Sequence, residues 1–358
     1  MEEKDINKAP KKNKKLKILM VLLFIAINAA VIAITAFSEF GNSENAAELS
    51  EVKINWWLLI PAALCFVIAI NTEIEKYRLM IKTMAEPGAF KGHDDRKLAR
   101  RVVILGRYYD NITPAAIGGQ PFQIYYLHKK GGLSTGLSTA VSLFGMISIQ
   151  ITFIAIALFC FIFSSLAQEN AALLITALLG LLFYAFWPFM VFIALFFPKT
   201  TTKIITLIVR FLAKIKIVKN RDRAIKKTEE NVTEYVRSVK IILKKPGLFF
   251  KTIGLSFVFN ILVAMIPYFV LTAFGGDVSF FSCFALTIAV MSAVYFIPTP
   301  GNSGAAEGTF YMVFSALSTG YVFWAMLFWR LFSYYIYIIM GVITYFIMQL
   351  EKRRGKDA

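Results

Sequence analysis

Apolar residues run along this chain in long, almost uninterrupted blocks, and polar residues collect between them. A helix that spans a bilayer needs about 20 mostly apolar residues. The blocks 16–37, 54–71, 133–166, 170–198, 249–274 and 321–350 qualify, and 279–297 qualifies barely. That last block runs into Pro298-Thr299-Pro300-Gly301, where two residues without an N–H precede a glycine, so the helix must break. Beyond it, 305–317 is a short apolar piece of about half a span. A second interrupted stretch lies earlier. Residues 98–109 read as helix, Thr113-Pro114 interrupts, Gly118-Gly119-Gln120-Pro121 turns, and 122–129 resumes. The pattern predicts an all-α polytopic membrane protein of about eight crossings (six to eight) with two Pro/Gly-broken or re-entrant elements, all in a single domain over 1–358. Between 199 and 247 the period changes. Apolar positions recur at helical spacing among Lys203, Arg210, Lys214 and Lys216, which predicts a basic amphipathic segment lying on the membrane surface or packing on the ends of the spans.

Composition narrows the class. Hydrophobic residues make up 58% of the 358 and charged residues 17%, with mean hydropathy +0.63. Soluble domains have about 45–50% apolar and about 25% charged residues, so a disordered chain, a disulfide scaffold and an ordinary soluble enzyme are excluded. The three cysteines, Cys65, Cys160 and Cys283, lie inside apolar blocks without paired spacing and read as small buried hydrophobes. The net charge of +17 matters through its distribution. Apart from Lys53 and Arg330, every Lys and Arg falls in 1–17, 71–110, 128–131, 199–251 or 351–358, whereas Glu39, Glu44, Glu48, Glu51, Glu169 and Asp277 mark the other connections. Basic loops stay on the cytoplasmic side. Both termini are therefore expected inside, with 16–37 a retained anchor too long for a cleaved signal.

Irregular backbone at membrane depth is tolerated only where protein or a wet cavity satisfies its polar groups. The two breaks are thus the best candidates for a site, and the helix N-termini they expose suit anionic groups such as phosphates. From the first come Arg107, Asp110, Thr113, Pro114, Gly118, Gly119, Gln120, Pro121 and Gln123. The second supplies Pro298, Pro300, Gly301, Gly304 and Glu307. Arg330, near mid-depth in the last block, is costly there without a partner. It either pairs with Glu307 or holds a lipid phosphate through its planar donors. Arg107 and Asp110 are expected to form a similar pair. No phosphate-binding P-loop, zinc-protease or serine-hydrolase motif is present, so no catalytic residue, metal or cofactor is expected.

The stretches TPAAIGGQPFQIYYLHKKGGLSTG (113–136) and PTPGNSGAAEGTF (298–310) resemble the two signatures of the lysylphosphatidylglycerol synthase transmembrane region, a flippase-like integral membrane family. Gln120 stands where many members carry Glu. The resemblance implies a multi-pass protein of the bacterial cytoplasmic membrane that flips a phospholipid, lysyl-phosphatidylglycerol or another anionic or isoprenoid lipid. In some members this contributes to resistance against antimicrobial peptides. The implied partners are membrane phospholipids and a separate lipid-modifying enzyme. Only eight residues, 351–358, follow the last block, so the aminoacyl-transferase domain of larger members is expected to be absent. The alternative is a phosphatidylglycerol lysyltransferase, which would need charged tRNA on the basic face at 199–251. Without that activity no nucleic acid is expected. A non-transporting scaffold is a third possibility.

Overall fold

The computed structural model describes residues 53–84, 94–164, 170–214, 244–316 and 321–353, with scattered positions between 222 and 243. Every regular element among them is helical. Asn55 caps a 3₁₀ turn at Trp56–Leu58 that leads into α1, Leu59–Met84. Helix α2, Asp95–Ile112, starts where the Asp94 carboxylate accepts the Arg96 amide. It stops at Thr113, whose extended backbone is what a following proline imposes. After the 3₁₀ turn Pro114–Ala116 come α3, Gly119–Lys129, and α4, Thr135–Phe163, capped by Ser134. Helix α5, Ala171–Phe196, is capped by Asn170, and α6 covers Pro198–Lys214. The second half holds α7, Pro246–Ala273, and α8, Phe280–Val294. A 3₁₀ turn at Pro300–Asn302 precedes α9, Ala305–Ser315. Helix α10, Val322–Arg330, passes through a π segment at Leu331–Tyr335 into α11, Ile336–Arg353.

Five of these helices are long and apolar enough to cross a membrane: α1, α4, α5, α7 and the composite α10–α11. Each falls on an expected block; the block at 16–37 lies outside the described residues. Large apolar side chains such as Leu64, Ile162, Leu182 and Phe346 point outward, as lipid-facing side chains do. Helix α1 runs on past the apolar block that ended at 71, because Ile74, Tyr77, Met80, Ile81 and Met84 continue its buried stripe.

Helices α1 and α7 pack lengthwise as an antiparallel pair. At one end the Asn55 amide donates to the Ala273 carbonyl (2.8 Å), and at the other Lys245 Nζ donates to the Thr83 carbonyl (2.9 Å). These contacts define two ends of the bundle. Lys245 and Thr83 mark the basic end, where Arg78 pairs with Asp95 (3.2 Å) and Glu351 pairs with Lys97 (2.9 Å) and with Arg101. Trp56, Phe274 and Phe328 form an aromatic cluster at the other.

The two interrupted stretches are hairpins. Helices α2 and α3 pack against each other, and Gly131 returns to Leu98 near the start of α2, at the basic end. Helices α8 and α9 also pack together, and the Tyr321 amide donates to the Phe274 carbonyl (3.0 Å), so this excursion comes back to the aromatic end it left. Helices α3 and α9 have 11 residues each, or about 16 Å at 1.5 Å per residue, roughly half a hydrocarbon core.

Candidate functional site

The hairpins enter from opposite ends, and their tips meet. The 3₁₀ turns Pro114–Ala116 and Pro300–Asn302 pack against one another, and α2 also touches the second turn. The breaks share their construction. Each turn follows a threonine in extended conformation, Thr113 or Thr299, and holds a left-handed residue without being glycine, Ala116 at φ 51° or Asn302 at φ 53°. The helix beyond each turn has the same length, and both elements recur 186 residues on (114 to 300, 119 to 305). The sequence Leu-Ser-Thr-Gly follows each short helix, at 133–136 and 317–320. The matching order of long helix, helix, break, short helix, long helix gives two units of opposite sense, the inverted-repeat arrangement that in transporters places the ligand where the units meet.

In both breaks a carboxylate of the chain already holds the amide at the start of the short helix. Asp110 Oδ1 accepts from the Gly119 amide (2.8 Å), and Glu307 Oε2 accepts from the Gly304 amide (2.7 Å). The Gly118 amide donates to Thr113 Oγ1 (2.9 Å). The glycines are needed for close approach. A β-carbon on Gly119 would lie 2.3 Å from Asp110 Oδ1, and one on Gly301, at φ 59°, would lie 2.2 Å from the Tyr334 ring. Of the glycine amides at the two breaks, those of Gly118, Gly119 and Gly304 are therefore satisfied from within. Gln120 and Pro121 open α3, Gln120 half-buried and Pro121 exposed, while at the second break Pro298 is exposed and Pro300 half-buried.

The second break is closed by ions. Arg330 Nε donates to Glu307 Oε1 (2.7 Å), and Arg330 Nη2 donates to Ser303 Oγ (2.9 Å) and to the Gly301 carbonyl (3.2 Å). The guanidinium lies over the Tyr334 ring at 4.6 Å, and both charged side chains are almost fully buried, at 5% and 2% exposure. Of the two expectations for Arg330, the internal pair is the one the structure contains.

At the first break the expected partner is wrong. Arg107 does not pair with Asp110. It pairs with Glu73 of α1, Nε to Oε2 at 3.0 Å and Nη2 to Oε1 at 2.8 Å. Asp110 is turned toward Gly119 by the start of α3, while Arg107, three residues earlier on α2, faces α1. Beside Glu73 lies Lys76, at 1% exposure the most buried cation described, with Nζ on the Gly145 carbonyl of α4 (2.9 Å). Gln123 is buried, and its Oε1 accepts from Tyr77 Oη (3.0 Å) and Ser142 Oγ (2.8 Å), which ties the hairpin to α1 and α4. The Glu73 and Lys76 cluster was not expected from the sequence. Its signal was the unbroken stripe Ile70, Ile74, Tyr77, Met80 on which both charges lie.

Long apolar helices with two hairpins that meet at their breaks define a multi-pass α-helical membrane protein. Its residues 18–341 match the family described as the lysylphosphatidylglycerol synthase TM region, and the chain belongs to that family. It is also 26% identical over 262 residues to a UPF0104 membrane protein of Methanothermobacter thermautotrophicus, across 68% of this chain and 74% of that relative. No solved structure matches the chain.

Proposed function

We propose that this protein carries a phospholipid across the bacterial cytoplasmic membrane, lysyl-phosphatidylglycerol or another anionic or isoprenoid-linked lipid. One observation supports the reading most: two hairpins of opposite sense touch at their breaks, with paired charges beside each. A headgroup crossing a bilayer needs polar partners at mid-depth and a route to each face. Two half-depth hairpins entered from opposite ends supply both. The candidate residues of the two breaks, Arg107 through Gln123 and Pro298 through Glu307 with Arg330, form or support that route.

The test is reconstitution of the full chain into vesicles containing fluorescent phosphatidylglycerol, with an impermeant quencher outside. Translocation predicts that quenching proceeds beyond the outer leaflet faster than in protein-free vesicles; equal rates sink the reading. The synthase in the family's description keeps a second reading in play. Incubating the same vesicles with lysyl-tRNA tests it, and lysine appearing on the lipid would establish a transferase.

A further inference from the structure

The first break differs from the second in a way that assigns roles, on the premise that a phosphate-bearing ligand passes here. We propose that Arg107 holds the ligand's phosphate, that Glu73 is the internal anion the phosphate displaces, and that Lys76 receives Glu73 when it leaves.

Several donors at the junction are already committed. Arg330 serves Glu307, Ser303 and Gly301 from a nearly sealed position, and the amides of Gly118, Gly119 and Gly304 serve acceptors of the chain. Arg107 alone among these cations is open, with 28% of its side chain exposed against 4% for Glu73. The guanidinium has neighbours on several helices. It sits 4.9 Å from the Phe259 ring of α7, and Tyr337 of α11, Tyr184 of α5 and Tyr295 at the end of α8 lie within electrostatic reach. Its planar fork, held bidentately by Glu73, fits a phosphate's oxygens in the same mode.

Displacing Glu73 would strand a carboxylate at low exposure unless a second cation stood ready. Lys76 is that cation. It is three residues along the same helix face, where side chains meet, and its described acceptor is one backbone carbonyl. The groups facing this cluster are Asp110 and Arg107 from α2, Tyr77 from α1, Gln123 from α3, and Tyr337 from α11. Asp110 is engaged by Gly119 and forms an ion pair with neither cation, while it lies within electrostatic reach of Arg107. Arg107, Glu73 and Lys76 together carry one excess positive charge, which an entering phosphate diester neutralises as the salt bridge moves along α1.

The test is titration calorimetry on the full chain in detergent, with two probes, dihexanoyl-phosphatidylglycerol and sodium phosphate. Glu73→Gln should tighten binding of the preferred probe about tenfold, or ~1.4 kcal/mol, because nothing has to be displaced. Lys76→Gln should weaken it about tenfold. Lys76→Gln combined with Glu73→Gln should bind as tightly as Glu73→Gln alone. Arg107→Gln with Glu73→Gln, which removes both members of the ion pair together, should bind neither probe. Wild-type affinity in that last variant, no weakening in Lys76→Gln, or a wild-type chain that binds neither probe overturns the proposal. A lipid-selective result marks a headgroup site, whereas equal affinity for free phosphate marks an inorganic anion site and removes support from lipid translocation. Conversely, full translocation by the Arg107→Gln, Glu73→Gln variant sinks this proposal and leaves translocation standing.

Discussion

The two breaks share a backbone and differ in how their charges are settled. At the second, an arginine at the end of α10 and a carboxylate in the first turn of the short helix are sealed to 5% and 2% exposure, and the carboxylate also caps the short helix. At the first, the tasks are divided. Asp110 caps the short helix, Glu73 from a different helix holds the arginine, and that arginine stays 28% open. One break is a closed ionic clamp, and the other is a clamp with a free side. Equivalent folds thus separate rigidity from access: Glu307 performs two jobs and is fixed by both, while Asp110 and Glu73 perform one each and leave the cation available.

The largest expected contrast concerns the opposite sense of the hairpins. Cysteine at Asp277, beside the aromatic end, should react with an impermeant thiol reagent added outside intact cells, and cysteine at Lys129, at the basic end, should not. Labelling of both from one side would remove the inversion on which the comparison depends. Next comes the clamp. Arg330→Gln leaves Glu307 buried without a counter-charge and should cost about 3–5 kcal/mol, read as a fall in thermal midpoint in detergent. Adding Glu307→Gln should recover most of it. A single variant as stable as wild type would show that the second break is wetter than its burial indicates. The smallest effect separates strain from space. Gly301→Ala, at positive φ and against Tyr334, should destabilise by about 1–3 kcal/mol. Gly308→Ala, where a β-carbon meets nothing within 4 Å, should change stability by no more than about 1 kcal/mol, in the stabilising direction expected for alanine in a helix. Equal losses would mean that the turn does not fix the second break.

Most of this fold is written in local pattern. Block length gave the long helices, and Pro298, Pro300, Gly301 and Thr113-Pro114 gave the breaks, because missing N–H groups and left-handed backbone act within a few residues. The Arg330–Glu307 pair was legible because the two charges lie 23 positions apart in one mainly apolar stretch. Glu73 and Lys76 were not. In Asn71-Thr72-Glu73-Ile74-Glu75-Lys76 the density of charge resembles the wet flank of a span, and only contacts with Arg107, 34 residues away, and Gly145, 69 residues away, bring the cluster inside. The apolar stripe Ile70, Ile74, Tyr77, Met80 marks the buried face, but nothing local names partners at such separations. The amphipathic period at 199–247 is seen in α6, Pro198–Lys214, while the second half of that segment lies mostly outside the described residues.

Glu351 accepts both Lys97 and Arg101 where the last helix ends, and it thereby fastens the mouth of the α2–α3 hairpin to the rim of the bundle. The side chains are partly exposed, so mobile ions and acidic lipid headgroups compete for the same two cations. With such headgroups at hand, the firmness of that fastening would depend on the surrounding leaflet as well as on the chain. A membrane rich in acidic lipid would loosen the rim, and a neutral one would hold it shut.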